Sequence, residues 1–242
     1  MRPRTLGFDW KVQLAWLDES AAQVAGGAGP EELRAHLEEY LQRQPDVNLS
    51  PTGRSKAITV LSHLWCEVPE DTSAIRDRAL KVLPDVLPEE RAVVHWSMAL
   101  ATYPFFTDVA AAVGTLLALQ EVADVPSVRR RVSERWGERA TVLRATGVVI
   151  GTIRDWGFLS ALSRGTYGPT KGMDVVPDLS ALLVEALLES GRVESLSVHD
   201  APSHPSLFPF CLRLNVTELR AAQSLSVERF SGGTDVVRLA RS

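Results

Sequence analysis

Cysteine is scarce. The chain has two in 242 residues, Cys66 and Cys211, and they form no CxxC pair. That excludes a zinc module and a secreted disulfide scaffold, and it predicts two small buried thiols. Long apolar runs are missing as well. The stretches around Val109–Leu119 and Val148–Ile153 fall short of the ~20 residues that span a bilayer. "MRPRTLGFDWKV" lacks the apolar core of a signal peptide, so a cytoplasmic protein with no membrane partner is expected. No GxxxxGKS/T, GxGxxG or GxSxG occurs, and no carboxylates pair with a lysine as in a nuclease centre. Nucleotide, dinucleotide and serine-hydrolase chemistry therefore have no sequence support, and the expectation is a non-enzyme without cofactors.

Metal-ligand spacing is equally thin. His199, Asp200 and His204 share the Pro-rich loop "SVHDAPSHPSLFP", but no second helical His or remote Asp completes a set. An enzyme built on them is the most distant reading. His63 and Cys66 stand one turn apart on an apolar helix, and His95 adjoins Trp96 in the most apolar region, so both histidines are expected in the core or at helix ends. The six tryptophans fall on helix faces and are expected to be core.

What is present is a globular composition, 45% hydrophobic and 23% charged. Six helices are expected before Pro126. "FDWKVQLAWLDESAAQVAGG" places Trp10, Leu14, Leu17 and Ala21 at helical spacing and stops at a Gly pair. "GPEELRAHLEEYLQRQP" opens with Pro30 and two glutamates. A third helix carries Ala57, Val60, Leu61, Leu64 and Trp65 on one side, and "TSAIRDRALKVLP" is a fourth. The fifth and sixth, divided by Pro104, are almost continuously apolar and are predicted to be the buried centre of this half. No strand pattern appears before Pro126. Later segments predict a helix over "DLSALLVEALLESG", then two strands, "LFPFCLRL" and "DVVRLA", around a short helix.

Net charge is −4, from 26 basic and 30 acidic residues, but it is unevenly placed. Pro126–Lys171 holds nine basic and three acidic residues, leaving 17 basic and 27 acidic elsewhere. This positive island on an acidic body coincides with a local pattern. Ser127 can cap a helix with Val128, Val132 and Trp136 facing inward, and Gly137 ends it. Thr141 can cap a second helix with Val142, Ala145, Val149, Ile153 and Trp156 inward, and Gly157 ends that one. Two short extended runs around Arg164-Gly165 follow.

Helix, short turn, helix and hairpin is the order of a winged helix-turn-helix, whose second helix enters the major groove of duplex DNA. On that reading Arg129, Arg130 and Arg131 contact phosphate. Arg139, Thr141 and Arg144 approach the groove, and Arg164, Tyr167 and Lys171 form the wing contact. Arg154, beside Asp155, is expected to pair locally. The rival is a protein-interaction subunit whose winged helix and acidic helical half dock partner proteins, because arginine runs commonly mark a solvated helix face.

"WLDESA", "GRSKAITVLSHLW", "HWSMALATYPFFTDV" and the "SERWGERATVLRA…DWGFL" unit resemble BrxA-like proteins, the small DNA-binding components of bacterial BREX phage-exclusion systems. The resemblance covers most of Trp16 to Leu159 and rests on aromatic and leucine positions; Leu207–Ala240 has no counterpart in it. It implies a non-enzymatic role in phage defence, with double-stranded DNA and other defence-system proteins as partners. The expected architecture is mainly α: a helical domain over 1–125, a winged helix-turn-helix over 126–172, and a small α+β segment over 173–242 packed on it.

Overall fold

The computed structural model describes residues 6–44, 49–230 and 233–240. The chain is mostly helical with small sheets, as the composition and periodicity predict. All six helices of the first half form: α1 (Leu14–Ala25), α2 (Pro30–Gln42), α3 (Pro51–Trp65), α4 (Ser73–Val82), α5 (Arg91–Thr102) and α6 (Pro104–Gln120). Their ends follow local chemistry. Ser50 Oγ accepts from Gly53 N at 3.1 Å at the start of α3, and the Glu32 carboxylate reaches back to Gly29 N at 3.0 Å in α2. α5 and α6 are buried along most of their length, and the chain bends by 116° between them. Among the described residues, no single helix is long and apolar enough to cross a membrane.

One helix boundary differs from expectation. Trp10 lies outside α1, because residues 8–13 run without helical bonding and the helix begins at Leu14. Trp16 takes the buried place in its stead.

From α6 onward the chain builds a compact unit. A two-residue strand, β1 (Ala123–Asp124), precedes α7 (Val125–Trp136) and α8 (Ala140–Asp155), and then β2 (Leu159–Ser163) and β3 (Thr166–Pro169) form a hairpin. The sheet order is β1-β3-β2, all antiparallel, with Ala123 opposite Tyr167 and Leu159 opposite Pro169. The expectation of no strand before Pro126 is thus corrected by β1, whose two residues are too few to show a pattern. The expected boundary at 125/126 falls at the first turn of α7, and β1 before it belongs to the same sheet as the hairpin.

Both predicted caps shift. Asp124, not Ser127, caps α7: its carboxylate accepts from Ser127 N at 2.8 Å, and Pro126 occupies the first turn, where it has no bond to lose. Arg139 is the N-cap residue of α8, without a side-chain bond, and Thr141 already lies inside the helix.

The remaining chain holds β4 (Met173–Val175), α9 (Pro177–Glu189), β5 (Leu196–Ser197), β6 (Phe210–Leu212), α10 (Val216–Ala221), β7 (Leu225–Arg229) and β8 (Asp235–Leu239). The two predicted strands exist but never meet. β6 pairs in parallel with β4, while β8 is the centre of a β5-β8-β7 sheet. Cys211, on β6, is exposed and Cys66 is half-buried, so neither is the fully buried thiol expected.

A single hydrophobic core joins Phe8 and the six N-terminal helices to α7, α8, α9 and Phe210. A smaller one, around Val184, Leu188, Leu219, Leu225 and Val237, lies between α9 and the last sheet.

Candidate nucleic-acid interface

The inward stripes of α7 and α8 are those the spacing predicts. Val128, Val132 and Trp136 are buried on α7, and Val142, Ala145, Val149 and Ile153 on α8, with Trp156 just past its end. These contacts leave Arg139, Ala140, Thr141 and Arg144 exposed at the beginning of α8, beside the α7–α8 turn.

The three consecutive arginines separate. Arg129 is half-buried, and its Nε donates to the Leu143 carbonyl at 3.0 Å, tying α7 to α8. Arg130 is exposed. Arg131 is half-buried, with its Nε enclosed, and it lines a cleft between α6 and α7 beside Asp108 and Thr115. Of the expected phosphate-contacting set, Arg129 is therefore drawn into the structure, and helical spacing alone could not reveal the carbonyl facing it.

Arg139 remains exposed, with a long 3.4 Å bond to the Trp136 carbonyl. Arg144 pairs with Asp9 at 3.3 Å. Arg164 is exposed at the hairpin turn, and Lys171 is exposed just beyond β3. Arg130, Arg164 and Lys171 make no hydrogen bond or ion pair among the described residues. Tyr167 is half-buried in the central strand and interacts with Arg154. Arg154 also donates to Asp155 at 2.8 Å, the local pairing its position predicts. The Asp155 carboxyl is partly buried, which alone would raise its pKa, but Lys11 and Arg154 prevail and hold it below the ordinary carboxylate value.

Two features escaped sequence reasoning. The first is Asp108 on α6, an acceptor shared by three partners. Trp136 Nε1 donates to it at 2.8 Å, Arg192 at 2.7 Å and Arg135 at 3.4 Å, while the Arg192 guanidinium lies 5.7 Å from the Trp136 ring centre. Burial pushes the Asp108 pKa up, and the arginines and the indole N–H oppose it. This cluster fastens α7 to α6 and to the end of α9. Only an aspartate inside an apolar run, "FFTDVAAAV", signals it in the sequence. The second is the segment before α1, which lies along α8.

The loop histidines do not gather. His199 Nδ1 lies 3.0 Å from Asp200 on an exposed surface, and His204 turns toward Ser206 Oγ at 2.9 Å. No group of three or more His, Cys, Asp or Glu side chains among the described residues is placed to hold a metal ion. His95 is fully buried, and its Nε2 lies 3.0 Å from Asp18. Five of the six tryptophans are buried, and Trp10 is half-buried under the Lys56 ammonium.

Comparison of the chain with protein-family models, with curated proteins and with solved structures found no match.

Proposed function

We propose that the protein binds duplex DNA without catalysis, through a winged helix-turn-helix formed by α6, β1, α7, α8 and the β2–β3 hairpin. The observation that carries this reading is the placement of exposed cations on that element order. A short strand before the two helices pairs with the hairpin that follows them, in the order β1-β3-β2. Arg139, Thr141 and Arg144 then stand at the exposed start of the second helix, and Arg164 and Lys171 lie on or beside the hairpin. Arg130 adds a cation on the preceding helix. A groove-entering helix flanked by two backbone-contacting elements needs charge at these three places. The phage-defence setting rests on the BrxA-like resemblance of the sequence, and other proteins of such a system are proposed partners on the same ground.

Fluorescence anisotropy with labelled duplex DNA over a range of salt concentrations tests the reading. Binding should weaken as salt rises, with a log–log slope of roughly −0.9 for each phosphate contacted. Joint replacement of Arg130, Arg164 and Lys171 by Ala should flatten that slope without changing the melting temperature, since none of the three makes a hydrogen bond or ion pair among the described residues. Absence of binding at low salt, or a slope unaltered in the triple variant, removes the proposal in favour of docking to a protein partner. That rival draws on the acidic balance outside 126–171, 17 basic against 27 acidic residues.

A further inference from the structure

Residues 8–13 run beside α8 as a non-helical strap, bent at Trp10, before α1 begins. Phe8 and Val12 face the core, Phe8 with its ring 5.4 Å from Tyr103 and 5.2 Å from Phe106. Asp9 and Lys11 reach α8, while Trp10 lies under Lys56 of α3. Asp9 accepts from Arg144 at 3.3 Å, and Lys11 Nζ donates to Asp155 at 2.9 Å. Beyond the end of the helix, Trp156 Nε1 donates to the Val12 carbonyl at 3.0 Å. Gly151 lies directly beneath the Lys11 side chain, where an added Cβ would stand 2.4 Å from Cε and would displace only the flexible end of that lysine.

The outward side of α8 thus has two parts. Its first turn, carrying Arg139 and Thr141, is open. Its last turns, from Gly151 to Asp155, lie under the strap. A major groove about 12 Å wide and 8.5 Å deep admits a bare helix of about 10–12 Å diameter, but not that helix with a second chain laid on its outer side. Groove entry is therefore confined to the N-terminal half of α8. At the border between the two parts, Arg144 already holds a carboxylate where a DNA phosphate would sit.

We infer that Asp9 is an internal competitor for Arg144, setting how strongly that arginine engages a DNA phosphate. The inference rests on the DNA-binding reading above. The pair is suited to exchange: both side chains are at least one-third exposed, so its own strength is small. The strap is anchored by Phe8, Val12 and Trp156 rather than by Asp9, so Asp9 can be changed without releasing it.

The test is duplex-DNA anisotropy on Asp9→Asn, Arg144→Ala and the double variant. Asp9→Asn should bind about three- to tenfold more tightly at low salt and steepen the salt slope by about one contact. Asp9→Ser, which also lacks the charge, should reproduce the gain. The double variant should bind no better than Arg144→Ala, with melting temperature and tryptophan emission unchanged throughout. Parent-like or weaker binding by Asp9→Asn, where the parent binds, overturns the inference, as does a gain that persists without Arg144. If neither the parent nor Asp9→Asn binds DNA, it is the DNA-binding reading itself that fails.

Discussion

His95 has no exposed surface, with the Trp65 ring edge-on at 5.4 Å and Asp18 as its one polar neighbour within bonding distance among the described residues. Burial is the largest influence on it and pushes its pKa down. Asp18 pulls the other way, and Arg91 adds to the lowering. The unfolded chain, with a histidine pKa of about 6.5, takes up a proton before the folded one does. Stability from this group is therefore complete above pH ~6.5 and is lost as pH falls from there toward the folded pKa. Urea midpoints measured across that range should decline with acidification, and less steeply in His95→Gln; parallel declines would clear His95 of the effect. That His95 is a core residue was legible from its setting beside Trp96 in an apolar run. Which cation meets which partner was not. Arg129, Arg130 and Arg131 are identical in sequence terms, and their separation depends on the Leu143 carbonyl that takes Arg129 and on the α6–α7 cleft that encloses the Arg131 Nε. A side chain as long as arginine reaches several neighbours, so its helical face does not determine its bond.

α6 meets the turn at Pro205–Leu207 through Gly114, where an added Cβ would lie 2.0 Å from the Pro205 carbonyl oxygen. In an exposed helix Gly→Ala stabilises by up to about 1 kcal/mol. Here the sign reverses, because the obstructing atom belongs to backbone and one of the two elements must move. Gly114→Ala should lower stability by about 1–3 kcal/mol, as overpacked cores do. Denaturant unfolding checks it, and a stabilised variant would mean that the turn yields freely. The helices themselves were readable because ten or more residues repeat their apolar side every three to four positions. Strands of two to five residues offer no such repetition, which is why β1, β4, β5 and β7 were missed while the β2–β3 hairpin, marked by its turn residues, was found. The strap reads as helix in the sequence for a related reason. Trp10 lies four residues before Leu14, a spacing that fits a helix, whereas the alternation of Phe8, Trp10 and Val12 fits an extended chain equally well. The deciding contact, Trp156 with the Val12 carbonyl, spans 144 residues. For the proposed interface, the turn with Arg139 and Arg144 near it could be read locally, but the Asp9 pairing could not.

Trp96, on α5, joins the three segments that the sequence separates. Its ring stands 5.1 Å from Phe106 of α6, 5.4 Å from Phe158 before β2 and 5.4 Å from Phe210 of β6, and its Nε1 donates to the Ser206 carbonyl at 3.1 Å. A side chain shared in this way makes the α7–α8–hairpin unit dependent on the helices before it and on the chain after it. Trp96→Ala should cost about 3–5 kcal/mol, since the cavity opens between segments that cannot all close on it. The shared core also predicts cooperativity. Helix content followed by circular dichroism and packing followed by tryptophan emission should be lost at the same denaturant concentration, because the 126–172 segment has no separate core with which to outlast the rest. A resolved first transition, with helix retained, would show the segments to be independent. Coincident transitions would tie the shape of the surface proposed to face DNA to the fold of the whole chain, so that changes at the buried Trp96 should weaken the proposed binding only as far as they unfold the protein.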